Sequence, residues 1–150
     1  LCGHGVLFAG RLPAVFASPG GFASELLSEI EEDGTPAADG ILAQLTAWGI
    51  EPAPEDAQAL RDVARAVSGR AARLAAAVLV ATVTKNDPTL EAAHTIAVDG
   101  SLFAKYPDFR ARMEETFRLL LGAGAARLRL NPVSDGSGFG AAVIAAVSSS

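Results

Sequence analysis

Two stretches near the end of the chain, Val98-Asp99-Gly100-Ser101 and Ser134-Asp135-Gly136-Ser137-Gly138, each join an apolar run of strand type to a run of helix type. An Asp-Gly-Ser turn lets the backbone bend sharply, gathers peptide N–H groups and a hydroxyl at one spot, and points the positive end of the next helix at an anion. That is the chemistry of a nucleotide-phosphate site. One such turn is commonplace, so the pattern lies in the pair together with the Leu102-Phe103-Ala104-Lys105-Tyr106-Pro107-Asp108-Phe109 segment between them. Ser101 and Ser137 are the first candidates for contact, as residues that bind rather than react. Two serines capping helices without a ligand is the plain alternative. Asp99 and Asp135 invite assignment as a general base or a Mg2+ pair, but aspartates before glycines are better explained as shaping the turns by bonding nearby N–H groups.

The elements that must position these turns follow from spacing. Thr95 to Val98 is a short β-rich run, Asp108 to Leu121 spaces Phe109, Met113, Phe117 and Leu120 as one helical face, and Arg127 to Leu130 alternates as a strand. Glu114 and Arg118 can pair across one turn of that helix, and Gly122 is a natural end. Ala141 to Val147 has the composition of a buried helix. Strand, helix, strand, helix with a helical crossover predicts a parallel pair and an α/β arrangement.

Upstream, Ser24 can cap a helix from Glu25 to Glu31 that ends near Asp33-Gly34, and Ile41, Leu42, Leu45 and Trp48 keep helical spacing up to Gly49. From Glu55 to about Lys85 there is no proline, and apolar residues recur at i, i+3, i+4, which predicts one long helix. Its second half is apolar almost all round, as for a helix buried on more than one side. Lys85-Asn86-Asp87-Pro88 stops it.

The 150 residues suit one domain. Half of them are hydrophobic and the mean hydropathy is +0.31, which excludes a disordered tail and leaves an apolar surplus. A missing partner lobe explains that surplus, and so does plain alanine richness. The net charge of −5 comes with 12 scattered Lys and Arg residues, so there is no basic stripe for nucleic acid. Cys2 is the only cysteine and His4 and His94 lie far apart, which excludes an internal disulfide and four-ligand zinc sites built from cysteines. The expected compartment is the reducing cytoplasm, an organelle being the alternative. The longest apolar stretch, Leu74 to Val83, is about half a bilayer span, so no membrane span is expected. Gly136-Ser137-Gly138-Phe139-Gly140 fits the dinucleotide fingerprint poorly, and no P-loop occurs.

Ala97-Val98-Asp99-Gly100-Ser101-Leu102-Phe103, then Lys105-Tyr106-Pro107 and Phe109, then Asp135-Gly136-Ser137-Gly138 before an Ala-rich helix, resemble the C-terminal end of eukaryotic-type hexokinases. Gly5-Val6-Leu7-Phe8, Leu27-Ser28-Glu29-Ile30-Glu31 and Arg70-Ala71-Ala72-Arg73-Leu74-Ala75-Ala76-Ala77 follow in the family's order and rough spacing, the last run being most like plant-like members. The resemblance covers almost the whole chain, more loosely in its middle. It implies an actin-like ATPase (ribonuclease H-like) α/β fold whose two lobes close over sugar and ATP. Residues 1–150 would be the C-terminal part of the large lobe, with 1–88 mostly helical and 89–150 the strand-helix-strand-helix nucleotide-binding part.

The same resemblance implies nucleotide contacts by Gly100, Ser101, Leu102 and Lys105, and close backbone approach to the adenosine end at Gly136, Ser137 and Gly138. A further nucleotide loop falls on Ser18-Pro19-Gly20-Gly21-Phe22. Pro19 there replaces a basic residue, so weaker phosphate contact through Ser18 and Gly20 is expected, with an ordinary surface turn as the alternative. Val78 stands where relatives commonly have a Gly, which would narrow the adenine pocket. The family's Asp-Leu-Gly-Gly-Thr phosphate loop, its sugar-binding segment and the Asn-Asp pair bearing its catalytic Asp do not occur in these residues.

The resulting expectation is a part of an ATP-dependent hexokinase, converting hexose and MgATP to hexose 6-phosphate in the complete enzyme. This part would have no catalytic residue or metal ligand of its own, and the rest of the hexokinase fold would be its partner. The alternatives are a truncated, non-catalytic relative that binds a nucleotide or a protein, and a segment only marginally folded in isolation.

Overall fold

The structure, a computed structural model, describes residues 7–11, 13–19, 23, 25–35 and 38–148. Cys2, His4, Gly5, Val6, Gly20 and the Ser24 cap lie outside the described residues. By contact the chain falls into two compact units, Leu1–Ser68 and Gly69–Ser150.

The first unit holds a 3-10 turn at Phe8–Gly10, then α1 (Ala14–Ala17), α2 (Glu25–Glu32), α3 (Asp39–Ala47) and the start of α4 (Pro54–Asn86). Its core gathers Leu7, Phe8, Ile30, Ile41, Leu45, Ala57 and Ala64, with Phe16 and Trp48 packed against it. Phe16 stacks on Phe8 at 5.6 Å and meets the edge of Trp48 at 5.9 Å. Buried polar groups tie this core together. Asp56, in the first turn of α4, accepts the Phe8 N–H at 2.8 Å and the Ala53 N–H at 3.0 Å, satisfying donors at the helix start and in the 3-10 turn at once. The Arg61 guanidinium donates to the carbonyls of Asp33 at 3.0 Å and Thr35 at 3.2 Å, and the Ser68 hydroxyl donates to the Glu31 carboxylate.

With 33 residues, α4 is about 50 Å long at about 1.5 Å per residue. In the first unit the buried residues Ala57, Arg61, Ala64 and Ser68 of α4 recur every three or four positions, and in the second Ala72, Ala76, Val80 and Val83 do the same. The second half is thus buried on one side only, contrary to its all-round apolar composition: Leu74 and Val78 point away from the core and are exposed. The membrane expectation also changes in detail. Counting alanines and glycine beside the ten-residue run, α4 contains an 18-residue window of mean hydropathy 1.5, long and apolar enough to cross a bilayer, of which 28% is buried.

The second unit continues from α4 through β1 (His94–Asp99), α5 (Ser101–Lys105), α6 (Phe109–Leu121), a 3-10 turn at Gly122–Arg127, β2 (Leu128–Val133) and α7 (Gly136–Ser148). The strands form a two-stranded parallel sheet, as strand-helix-strand order requires. Ala72, Ala76 and Val80 of α4 share a core with Phe103, Phe109, Met113, Phe117 and Leu130. Along β1, half-buried His94, Ile96 and Val98 alternate with exposed Thr95, Ala97 and Asp99. Two expectations are corrected here. Glu114 pairs with Arg110, one turn before it, at 2.8 Å rather than with Arg118, and the same guanidinium donates to the Leu130 carbonyl at 3.4 Å. And α7 buries none of its residues: Phe139, Ile144 and Val147 are about three-quarters exposed, at 74%, 68% and 72%.

Candidate functional site

In the parallel pair His94 lies opposite Leu128 and Asp99 opposite Val133, so both strands end at one level. The chain therefore leaves them side by side into the two Asp-Gly-Ser turns, at the carboxyl ends of the strands, where open α/β sheets place their ligands. Buried Phe103 anchors α5, and Ile96 and Val98 are packed against the same core as Phe103. Gly100, Ser101, Leu102 and Lys105 of the first turn and Gly136, Ser137 and Gly138 of the second are all exposed. The structure thus brings seven of the nine sequence-derived contact residues to one end of one sheet.

The two turns are built differently. In the first, Gly100 takes φ +150°, a region that L side chains rarely adopt, and Ser101 opens α5. In the second, the positive φ of 55° falls on Asp135, and Gly136 is already the first residue of α7. Aspartate tolerates that left-handed geometry better than most residues. Neither Ser101 nor Ser137 spends its hydroxyl on a helix cap: among the described residues both lack a hydrogen-bond partner, and α5 has no side-chain cap. Lys105 likewise has no ion-pair partner among the described residues. A Cβ at Gly100 would meet nothing within 4 Å, so open space adjoins that turn.

Asp99 departs from the expectation of a bond to its own turn. Its Oδ2 accepts the N–H of Gly136 at 2.9 Å, joining one turn to the other across 37 residues. Sequence spacing carries no signal for this bond, which depends on the strand register. Asp135 lies over the start of α7, with its Cγ 2.9 Å from where a Cβ on Gly138 would stand, so the glycine admits the carboxylate.

Ser18 lies in the first unit, exposed, on extended backbone just after α1. Gly20 is outside the described residues. Val78, in the second unit, is 65% exposed on the side of α4 away from the core. A hollow of about 530 Å³ lies between α6 and β2, lined by Arg110, Glu114, Phe117, Arg118, Leu128 and Arg129 among others. It does not include either turn.

A family model described as hexokinase matches residues 1–147. The chain belongs to the hexokinase family. It is 36% identical over 147 residues to Hexokinase-2 of Equus caballus, a match spanning 95% of this chain and 16% of that protein. It is 35% identical over 149 residues to Hexokinase-1 of Homo sapiens, with 96% and 16% covered. A solved structure described as a crystal structure of hexokinase superposes with a TM-score of 0.71 at 25% identity, over 84% of this chain and 29% of that one. The short parallel strands flanked by helices are those of the actin-like hexokinase fold. The chain spans about one-sixth of the length of these curated hexokinases.

Proposed function

We propose that this chain supplies the adenine-nucleotide contacts of an ATP-dependent hexokinase, as the C-terminal part of its large lobe. The observation that carries the reading is the pair of adjacent strand-to-helix turns with unengaged Ser101 and Ser137 hydroxyls, in a chain that matches the family from end to end. Ser101, Leu102 and Lys105 would line the phosphate-proximal side, with Lys105 as the local cation. Gly136, Ser137 and Gly138 would admit the adenosine end. Val78 would narrow the adenine pocket.

The residues fit ATP better than they fit a metal. No group of three His, Cys, Asp or Glu side chains lies among the described residues, and Asp99 is committed to Gly136. Mg2+ would enter on the nucleotide's own phosphates. Phosphoryl transfer needs an in-line sugar hydroxyl and a proton acceptor, and the family's sugar-binding segment and Asn-Asp pair do not occur in these residues, so their work would be binding and orientation and the chain alone would not catalyse. The hexose, its 6-phosphate product and the rest of the hexokinase fold would be met in the complete enzyme, in the cytoplasm, with α4 as a core helix rather than a membrane span. A second reading, a non-catalytic module that docks on a protein, draws on the uncovered apolar face of α7.

Calorimetric titration with MgATP separates these readings. The folded chain is expected to bind saturably, and Ser101→Ala and Ser137→Ala each to weaken binding by about two- to tenfold, the effect of one hydrogen bond. Unchanged affinity in both folded variants would remove the turns from the site.

A further inference from the structure

We propose that Asp99 is the positioning residue of the two turns: its carboxylate holds the first residue of α7 and so fixes Ser137 against Ser101. This rests on the nucleotide reading above and adds a residue that acts through the backbone of others. Asp99 ends β1 opposite Val133, and Gly136 follows Val133 by three residues. The Gly136 N–H is one of the donors that α7 cannot satisfy within itself, and Asp99 Oδ2 takes it at 2.9 Å. The bond is charge-assisted and sits at the positive end of a 13-residue helix, two conditions that favour a carboxylate acceptor.

The parallel sheet alone leaves this juncture loose. Pairing stops at Asp99 and Val133, and the chain beyond both strands is exposed on each side. Gly136 is not required there for space, since an added Cβ would sit 3.4 Å from Asp99 Oδ2 and 3.6 Å from Val133 Cγ2, both ordinary contacts. What the position supplies is its N–H. Two turns meant to grip one ligand must keep a set separation, and the Asp99 bond is the side-chain link between them among the described residues.

The test uses the 150-residue chain as wild type, Asp99→Ala and Asp99→Asn, each followed by amide exchange at Gly136 and by MgATP titration. Asp99→Ala is expected to speed Gly136 exchange and to weaken MgATP binding, each by about tenfold, the loss of a hydrogen bond to a charged acceptor. Exchange at buried Phe117 and Leu130 should not change. Asp99→Asn keeps an acceptor oxygen without the charge, and should restore most of both properties, to within about threefold of wild type. It also provides the reading if Asp99→Ala does not fold, because loss of charge still weakens the bond measurably.

Unchanged Gly136 exchange in the folded variants would overturn the link. Faster exchange with unchanged MgATP affinity would make the link structural only and overturn the positioning role. A folded wild type that shows no MgATP binding, yet whose Gly136 exchange responds to Asp99, would overturn the nucleotide reading and the positioning role with it, leaving the bond itself intact.

Discussion

Gly100 and Asp135 both carry positive φ, at +150° and 55°, yet only one position demands glycine. With φ +150° and ψ 142°, Gly100 lies in a region almost reserved for glycine. Gly100→Ala is expected to destabilise the second unit by about 1–3 kcal/mol. Asp135→Gly should change stability by less than about 1 kcal/mol, because the left-handed conformation at 55° costs aspartate little and glycine nothing. Urea unfolding of the two variants checks the contrast, and equal effects would contradict it. The sequence spells Asp-Gly-Ser twice, which suggests the same turn twice. The difference arises because α5 begins after the glycine and α7 begins on it, and helix starts are decided by tertiary partners such as Asp99, which spacing does not reveal.

At the scale of elements, the long helix was legible almost to the residue, Glu55 to Lys85 against the observed Pro54–Asn86. Pro52-Ala53-Pro54 and Asp87-Pro88 punctuate it, and Asp56 and Asp87 satisfy N–H groups beside its two ends. β2 runs beyond Arg127 to Leu130 because Pro132, a poor residue for a central strand, is tolerated on the edge of a two-stranded sheet. Asp33 shows how a short loop is fixed. The Thr35 hydroxyl donates to it at 2.6 Å, the Thr35 and Ile41 N–H groups at 3.0 Å each, and Arg61 stands nearby, which together hold its carboxyl below the usual 3.8 despite burial. Asp87 is likewise lowered, first by His94 at 2.9 Å and then by the Ala92 N–H.

Both carboxylates bind a proton less readily folded than unfolded. Their contribution to stability is therefore complete above pH 3.8 and is lost as pH falls through the lower folded values. Carboxyl NMR should find both titrating below 3.8, and His94→Ala should move Asp87 back towards it. Titration of Asp87 at the same pH with and without His94 would contradict this assignment.

For the whole molecule, composition announced an apolar surplus, and the structure shows where it is. Val63 and Val67 in the first unit, and Leu74, Val78, Phe139, Ile144 and Val147 in the second, are large exposed side chains, so alanine alone does not account for the excess. The expectation of a buried final helix failed for a physical reason: composition signals that a helix needs cover, without saying whether the cover belongs to the same stretch of chain. The chain spans about one-sixth of the length of its curated relatives, and the surplus lies on these exposed faces. Both strands and both helices that frame the two Asp-Gly-Ser turns lie in the second unit.

Nucleotide contact is tested most directly by titrating the isotopically labelled chain with MgATP and following every backbone amide by NMR. The expected shifts gather at Gly100 to Lys105 and Gly136 to Gly138 and saturate together, while Arg118 and Arg129 beside the α6–β2 hollow stay unmoved. Saturating shifts centred on that hollow, or silence at both turns in a chain whose other amides are dispersed as in a folded protein, would contradict the assignment.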